Sequence, residues 1–157
     1  MRITVNLNLK VLIFPNLQSY LISNCIRSLR DGTRKFDEVV RTIPGDFPYD
    51  PQYFPKGLWK ITGVEWQKDK GFDSRIYGPV KIRTDAWQWV KVWQLDEDGD
   101  YLKETAQLVR DTGYLLHYSD SKTTWGCIRL ASPDDATAIG KAIENALIRE
   151  EVLLEVV

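Results

Sequence analysis

The chain contains, at residues 113–130, the stretch GYLLHYSDSKTTWGCIRL, in which two short apolar runs enclose a polar loop. Short apolar runs bounded by glycine and polar residues are typical of β-strands. The first run ends in His117, the only histidine of the chain, and Cys127 follows ten positions later at the start of the second run. This stretch therefore predicts two strands, with an imidazole and a thiol at the two ends of the loop that joins them.

The segments before this stretch also favour β-structure. Apolar and polar side chains alternate from residue 3 to residue 11, which predicts a strand with one buried face. Residues 58–64 and 80–95 are rich in β-branched and aromatic side chains and predict further strands. Residues 17–40 are ambiguous, because their apolar spacing fits a helix whereas Asp31-Gly32 signals a turn.

One helix is clearly marked after the second apolar run. Ser132 is the predicted N-cap, Pro133 the first helical residue and Asp135 the partner that completes a capping box. Apolar residues then recur at helical spacing: Ile139, Ala142, Ile143, Ala146 and Leu147. A last strand is predicted at residues 152–157.

The composition indicates a compact globular domain. The chain has 157 residues, a formal net charge of −1 and 43% hydrophobic residues. A length of about 100–200 residues is typical of one domain, so we expect residues 1–157 to form a single domain. The balanced charge argues against a nucleic-acid partner, since phosphate binding requires a basic excess. The aromatic content of 11% argues against disorder.

Neither a membrane partner nor secretion by a cleaved signal is expected. No stretch approaches the ~18 consecutive apolar residues of a membrane helix. Residues 1–14 alternate between polar and apolar side chains instead of forming the unbroken apolar block of a secretory signal.

Cys127 and His117 are a candidate catalytic pair. A thiol is a weak nucleophile at neutral pH until a neighbouring base takes its proton, and a carbonyl or carboxylate must hold that base in the right tautomer. Gly126 leaves backbone N–H groups accessible to a developing oxyanion. The alternatives are a structural thiol beside an unrelated histidine, or a disulfide between Cys127 and Cys25. Even with Asp120 the ligands fall short of a closed zinc site, so no metal is expected.

Residues 114–130 resemble the signature of the L,D-transpeptidase catalytic domain family of the YkuD type. In that family a strand-borne histidine precedes a Ser/Thr-x-Gly-Cys-x-Arg segment, which here reads TWGCIR at 124–129. The segment FPKGLWKI, 54–61, resembles the family's Pro-x-Gly-x-Tyr-x-Ile strand. The resemblance covers about 54–157 and leaves 1–53 as an N-terminal strand and a variable extension. It implies a mainly β fold, an L,D-transpeptidase-like β-sandwich with one C-terminal α-helix and a candidate N-terminal helix.

The resemblance also implies roles for individual residues. Cys127 would be the nucleophile, His117 its base, and Ser119 a residue that helps to orient the imidazole. Arg129 would hold a substrate carboxylate or the loops of the site. The substrate-binding candidates as a group are Arg129, Gly126, Thr124, Trp125 and Tyr118.

The implied activity is cleavage of an L,D peptide bond in a peptidoglycan stem peptide. The reaction passes through a thioester, which an amine (L,D-transpeptidase) or water (L,D-carboxypeptidase) resolves without a metal or cofactor. Such a substrate lies in the bacterial periplasm or cell wall, so delivery would use a route other than the Sec signal.

Two other functions remain open from the residues alone. Trp87, Trp89 and Trp93 share one face of a predicted strand, where they would either pack in the core or form a surface that stacks on sugar rings. The second option corresponds to a non-catalytic module that binds cell-wall glycan or muropeptides. A cysteine hydrolase of unrelated fold is a further alternative.

Overall fold

The computed structural model describes residues 1–25, 42–43, 47–48, 53–68, 72–98, 101–121, 124 and 126–157. Within these residues the fold is mainly β, with two helices, α1 and α2. The elements in chain order are β1 Arg2–Asn6, β2 Val11–Ile13, β3 Ser19–Ser23, β4 Thr42–Ile43, β5 Phe47–Pro48, β6 Gly57–Trp66, α1 Phe72–Tyr77, β7 Val80–Thr84, β8 Gln88–Leu95, β9 Tyr101–Asp111, β10 Leu115–His117, β11 Ile128–Leu130, α2 Pro133–Leu147 and β12 Leu153–Val156.

Eight of the strands close into a barrel in the order β1-β12-β6-β7-β10-β11-β3-β2. The pairs β1–β12 and β10–β11 are parallel, and the other neighbours are antiparallel. The expected mainly β class with a C-terminal helix is confirmed, but the expected β-sandwich is wrong. A sandwich consists of two open sheets, whereas here β1 pairs with both β2 and β12, so the sheet returns to its own first strand.

The prediction of an N-terminal helix is wrong for the residues that the structure describes. Residues Ser19–Ser23 form strand β3, which pairs with β2 on one side and β11 on the other. Ile22 is buried and Leu21 is exposed, which is the alternation of a strand with one buried face. The rest of that helix prediction, from residue 26 onward, lies outside the described residues.

The core lies between the barrel wall and helix α2. Leu116 of β10 is level with Ile82 on one neighbouring strand and Ile128 on the other, and all three are fully buried. Helix α2 begins as predicted, with the Ser132 Oγ accepting a hydrogen bond from the Asp135 N–H at 3.0 Å. Its buried face consists of Ala136, Ile139, Gly140, Ile143 and Ala146. Of the predicted apolar stripe, Ala142 is exposed.

Strands β8 and β9 form a separate two-stranded hairpin rather than part of the barrel wall. Val90 is buried, but the neighbouring Trp89 leaves 58% of its surface exposed. Of the two alternatives for the tryptophans, packing in the core is therefore wrong for Trp89, and the side chain of Trp93 lies outside the described residues. Among the described residues, no helix combines the length and apolar character that crossing a membrane requires.

Candidate active site

The two candidate catalytic residues lie on neighbouring strands of the barrel. In the parallel pair β10–β11, Leu116 is level with Ile128 and His117 with Arg129. Leu116 and Ile128 point into the core, so His117 and Arg129, one position further on, point to the other side of the sheet. Cys127 lies two positions before Arg129, directly before β11. A strand spacing of about 4.8 Å and a rise of about 3.3 Å per residue place the Cα atoms of Cys127 and His117 about 8 Å apart.

His117 is held firmly in a covered position and is only 4% exposed. The ring of Tyr77, at the end of α1, packs edge-on against the imidazole at a centroid distance of 5.1 Å. The imidazole Nδ1 lies 2.8 Å from the carbonyl oxygen of Tyr118. Because a carbonyl can only accept a hydrogen bond, Nδ1 carries the proton in this contact.

The surroundings of His117 lower its pKa below 6.5. Burial is the main cause, because it disfavours the charged imidazolium, and the positive charges of Lys81 and Arg129 act in the same direction. Hydrogen bonds to the backbone of Tyr118 and Ile76 oppose the shift. The imidazole is therefore neutral at neutral pH and available to accept a proton.

A cation lies on each side of His117 across the barrel wall. His117 is level with Lys81 on β7 and with Arg129 on β11. The Lys81 ammonium lies 4.0 Å from the centre of the Tyr77 ring, and the Arg129 guanidinium lies 5.0 Å from the centre of the Tyr118 ring. The outer surface around the imidazole thus carries two positive charges that suit a carboxylate.

The thiol of Cys127 is reduced and partly exposed. Its sulfur lies 3.4 Å from the Leu115 backbone nitrogen, which donates to it, and 3.9 Å from the Gly113 carbonyl oxygen. These contacts direct the sulfur toward the beginning of β10, whereas His117 is the last residue of that strand. A hydrogen bond from a backbone N–H stabilises a thiolate more than a thiol.

Asn24 clamps the loop that carries the nucleophile. Its side-chain Nδ2 donates to the carbonyl oxygens of both Gly126 and Cys127, each at 3.0 Å, and its Oδ1 accepts from the Phe54 N–H at 3.0 Å. The Thr124 hydroxyl donates to the same Cys127 carbonyl at 2.7 Å. In a planar trans peptide the N–H points away from the carbonyl, so fixing the Gly126 carbonyl toward Asn24 aims the Cys127 N–H in the opposite direction.

Gly126 allows the loop before β11 to adopt a backbone conformation with a positive φ. Its φ is +108°, in the left-handed region that disfavours residues with a Cβ. Gly126 was predicted to leave backbone N–H groups accessible. The backbone conformation that orients those groups also requires a glycine at this position.

The other predicted site residues have distinct places. Ser119 is buried; its Oγ accepts from the Ser121 N–H at 3.1 Å, and its carbonyl accepts from the Arg129 Nε at 2.8 Å. The carbonyl that orients the imidazole belongs to Tyr118, one residue before Ser119. Ser119 therefore positions Arg129 in this structure. Trp125 lies outside the described residues.

Tyr118 packs against a glycine that precedes β7. A Cβ added to Gly78 would lie 2.8 Å from the Tyr118 Cβ, too close for any side chain. Gly78 also has a φ of +66°. The Tyr118 side chain therefore has a defined place between Gly78 and Arg129.

Three contributors to the site were missed by the sequence analysis: Asn24, Tyr77 and Lys81. The contacts of Asn24 with the nucleophile loop span 102 and 103 positions, which no local pattern indicates. Lys81 alternates with the apolar residues of β7, so its outward direction could be predicted, but its pairing with His117 could not.

Within the part of the chain that the structure describes, no three side chains of His, Cys, Asp or Glu are grouped to hold a metal ion. No protein-family model, curated protein or solved structure matches this chain. The site is therefore interpreted from its own geometry and chemistry.

Proposed function

We propose that the protein is a cysteine acyltransferase that acts on peptidoglycan stem peptides. It would cleave an L,D peptide bond through a thioester and pass the acyl group to an amine or to water. The proposal is supported by the register of the parallel strands β10 and β11, which puts His117 level with Arg129, two residues after Cys127, and by the bond of His117 Nδ1 to the Tyr118 carbonyl. The resemblance of residues 114–130 to the L,D-transpeptidase signature supplies the substrate class.

The first half of the reaction forms the thioester. Nε2 of His117 takes the thiol proton, and the sulfur of Cys127 attacks the carbonyl carbon of the L-configured residue. The C–N bond to the D-amino acid breaks, and the imidazolium returns its proton to the leaving amine. In the second half, an amine or water attacks the thioester carbonyl while the imidazole takes its proton, and the thiol leaves.

This chemistry requires the sulfur to meet the imidazole. The sulfur would have to leave the Leu115 N–H by rotation about the Cα–Cβ bond of Cys127 to approach His117. Hydrogen bonds of a catalytic pair are commonly long without substrate and tighten in the complex.

The charged and polar neighbours have separate tasks in this proposal. The Cys127 N–H, aimed away from Asn24, donates to the oxyanion of the tetrahedral intermediate. Lys81 and Arg129 bind the terminal carboxylate of the D-amino acid that leaves. Burial of His117 keeps the base neutral beside these two cations.

A non-catalytic module that binds cell-wall glycan is the second candidate. The observation that favours it is the exposure of Trp89 in contact with the ring of Trp87, because adjacent aromatic rings on a surface offer a platform for a sugar ring. This candidate predicts binding that does not depend on Cys127.

Mass spectrometry of purified peptidoglycan fragments separates the two candidates. The fragments are incubated with wild type, with Cys127→Ala, and with Cys25→Ala as the matched control, since Cys25 is the other free cysteine. We expect tripeptide or exchanged products from wild type and Cys25→Ala and none from Cys127→Ala. Equal products from Cys127→Ala would contradict the proposed thiol chemistry.

A further inference from the structure

One face of the β8–β9 hairpin carries aromatic and cationic side chains that are open to solvent. Trp89 is level with Arg110, and Lys91 with Leu108, so all four point to the same side. All four are exposed. Trp87 joins them through its ring, which meets Trp89 edge-on at 5.6 Å and lies 4.6 Å below the Arg110 guanidinium. We call these five residues the aromatic face.

The opposite side of the hairpin attaches it to the barrel. Val90 is buried there, and the Gln88 amide donates to the Tyr53 carbonyl at 2.7 Å and to the Tyr114 hydroxyl at 2.8 Å. The Tyr114 hydroxyl in turn donates to Asp111 at 2.8 Å. The direction of the aromatic face is therefore fixed by packing and hydrogen bonds on the other side.

We infer that the aromatic face binds the glycan strand of peptidoglycan and thereby presents the attached stem peptide to Cys127. A pyranose ring has an apolar C–H face that packs on an indole, while its hydroxyls remain in water. The cations Lys91 and Arg110 suit the carboxylates that stem peptides carry along the strand. The inference rests on the proposed function, since it describes how the protein holds the peptidoglycan on which Cys127 is proposed to act.

The chain path limits the distance between this face and the thiol to the range of a stem peptide. Arg110 precedes Gly113 by three residues, and the Gly113 carbonyl oxygen lies 3.9 Å from the Cys127 sulfur. Three residues span at most about 11 Å, so the Cα of Arg110 lies within about 17 Å of the sulfur. An extended tetrapeptide spans about 14 Å, which is comparable to this upper limit.

Single-stranded nucleic acid also combines stacking with positive charge. The net charge of −1 disfavours it, because the affinity of such binders comes mainly from a basic excess. The nearness of the nucleophile to the aromatic face further favours a substrate of that nucleophile.

Sedimentation with purified sacculi tests the inference in the full chain. Trp89→Ala should weaken retention about tenfold, because it removes the ring on which the sugar packs. Tyr53→Ala is the matched control, since Tyr53 is equally exposed (61% against 58% for Trp89) but lies outside the aromatic face. Arg110→Gln should weaken retention most at low salt, where screening is least.

Two further measurements separate this inference from the proposed function. Trp89→Ala should turn over a soluble tetrapeptide, which carries no glycan, at the wild-type rate. Cys127→Ala should sediment with sacculi as wild type does. Undiminished sedimentation of Trp89→Ala, or binding of a single-stranded oligonucleotide in place of sacculi, would overturn the aromatic-face inference. Products from Cys127→Ala would overturn only the proposed function.

Discussion

Asn24 donates a hydrogen bond to the carbonyl oxygen of Cys127 at 3.0 Å, although the two residues lie 103 positions apart. The same amide group holds the Gly126 carbonyl, so it sets the orientation of the peptide on which the proposed oxyanion site depends. Asn24 thus connects the end of β3 to the start of β11 and positions the nucleophile without touching the substrate.

Replacing Asn24 with alanine should slow turnover while leaving the affinity for substrate nearly unchanged. Loss of both donors lets the Gly126–Cys127 peptide rotate, and a misplacement of about 1 Å is expected to cost roughly a hundredfold in kcat. Steady-state kinetics on a tetrapeptide stem, with KM and kcat measured separately, checks this. Gln18→Ala, at an exposed position between β2 and β3, is the control, and a rise in KM with unchanged kcat would contradict the positioning role.

Much of the local structure follows from the sequence, because its causes are local. Ser132 and Pro133 mark the start of α2 through capping and a fixed φ, and the alternation from Ile3 onward marks β1. Closure of the barrel depends instead on the pairing of β1 with β12, which lie at opposite ends of the chain. Neither strand carries a pattern that identifies the other as its partner, so the sequence does not distinguish a barrel from a sandwich.

The candidate site divides in the same way. His117 and Cys127 could be proposed from residue type and spacing, since their chemistry is visible in the sequence. The cation Lys81 and the clamp Asn24 act through long-range register, which the sequence alone does not contain. The carbonyl of Tyr118 is a backbone group, so no side-chain pattern could have identified it as the partner of the imidazole.

The imidazole of His117 should titrate below 6.5, because burial disfavours its charged form. The chain has one histidine, so its ring C–H resonances in a proton NMR titration need no assignment by mutation. A midpoint at or above 6.5 in the folded protein would contradict the covered, neutral imidazole described here.

The same shift predicts how stability depends on pH. Between the folded pKa and 6.5 the unfolded chain binds a proton that the folded chain resists, so wild-type stability falls as the pH drops through this window. His117→Gln cannot take up that proton and should lose less stability over the same range. Urea unfolding of both proteins at about pH 7.5 and at lower pH checks the difference, and parallel losses would contradict it.

Cys127 should react with iodoacetamide faster than Cys25 near neutral pH, although Cys25 is the more exposed of the two. The Leu115 N–H favours the thiolate of Cys127, which is the reactive form, and the proposed approach of the sulfur to His117 would favour it further. Time-resolved peptide mapping gives both rates in one sample. In His117→Ala the advantage of Cys127 should shrink, and a faster reaction at Cys25 in wild type would count against the pairing.

The most direct measurement is the intact mass of the protein after incubation with a tetrapeptide stem or a carbapenem-type acylating agent. Wild type should gain one acyl group that peptide mapping locates on Cys127, whereas His117→Ala and Cys127→Ala should gain none. Cys25→Ser should acylate as wild type does. An acyl group on Cys25, or unchanged acylation of His117→Ala, would contradict the account.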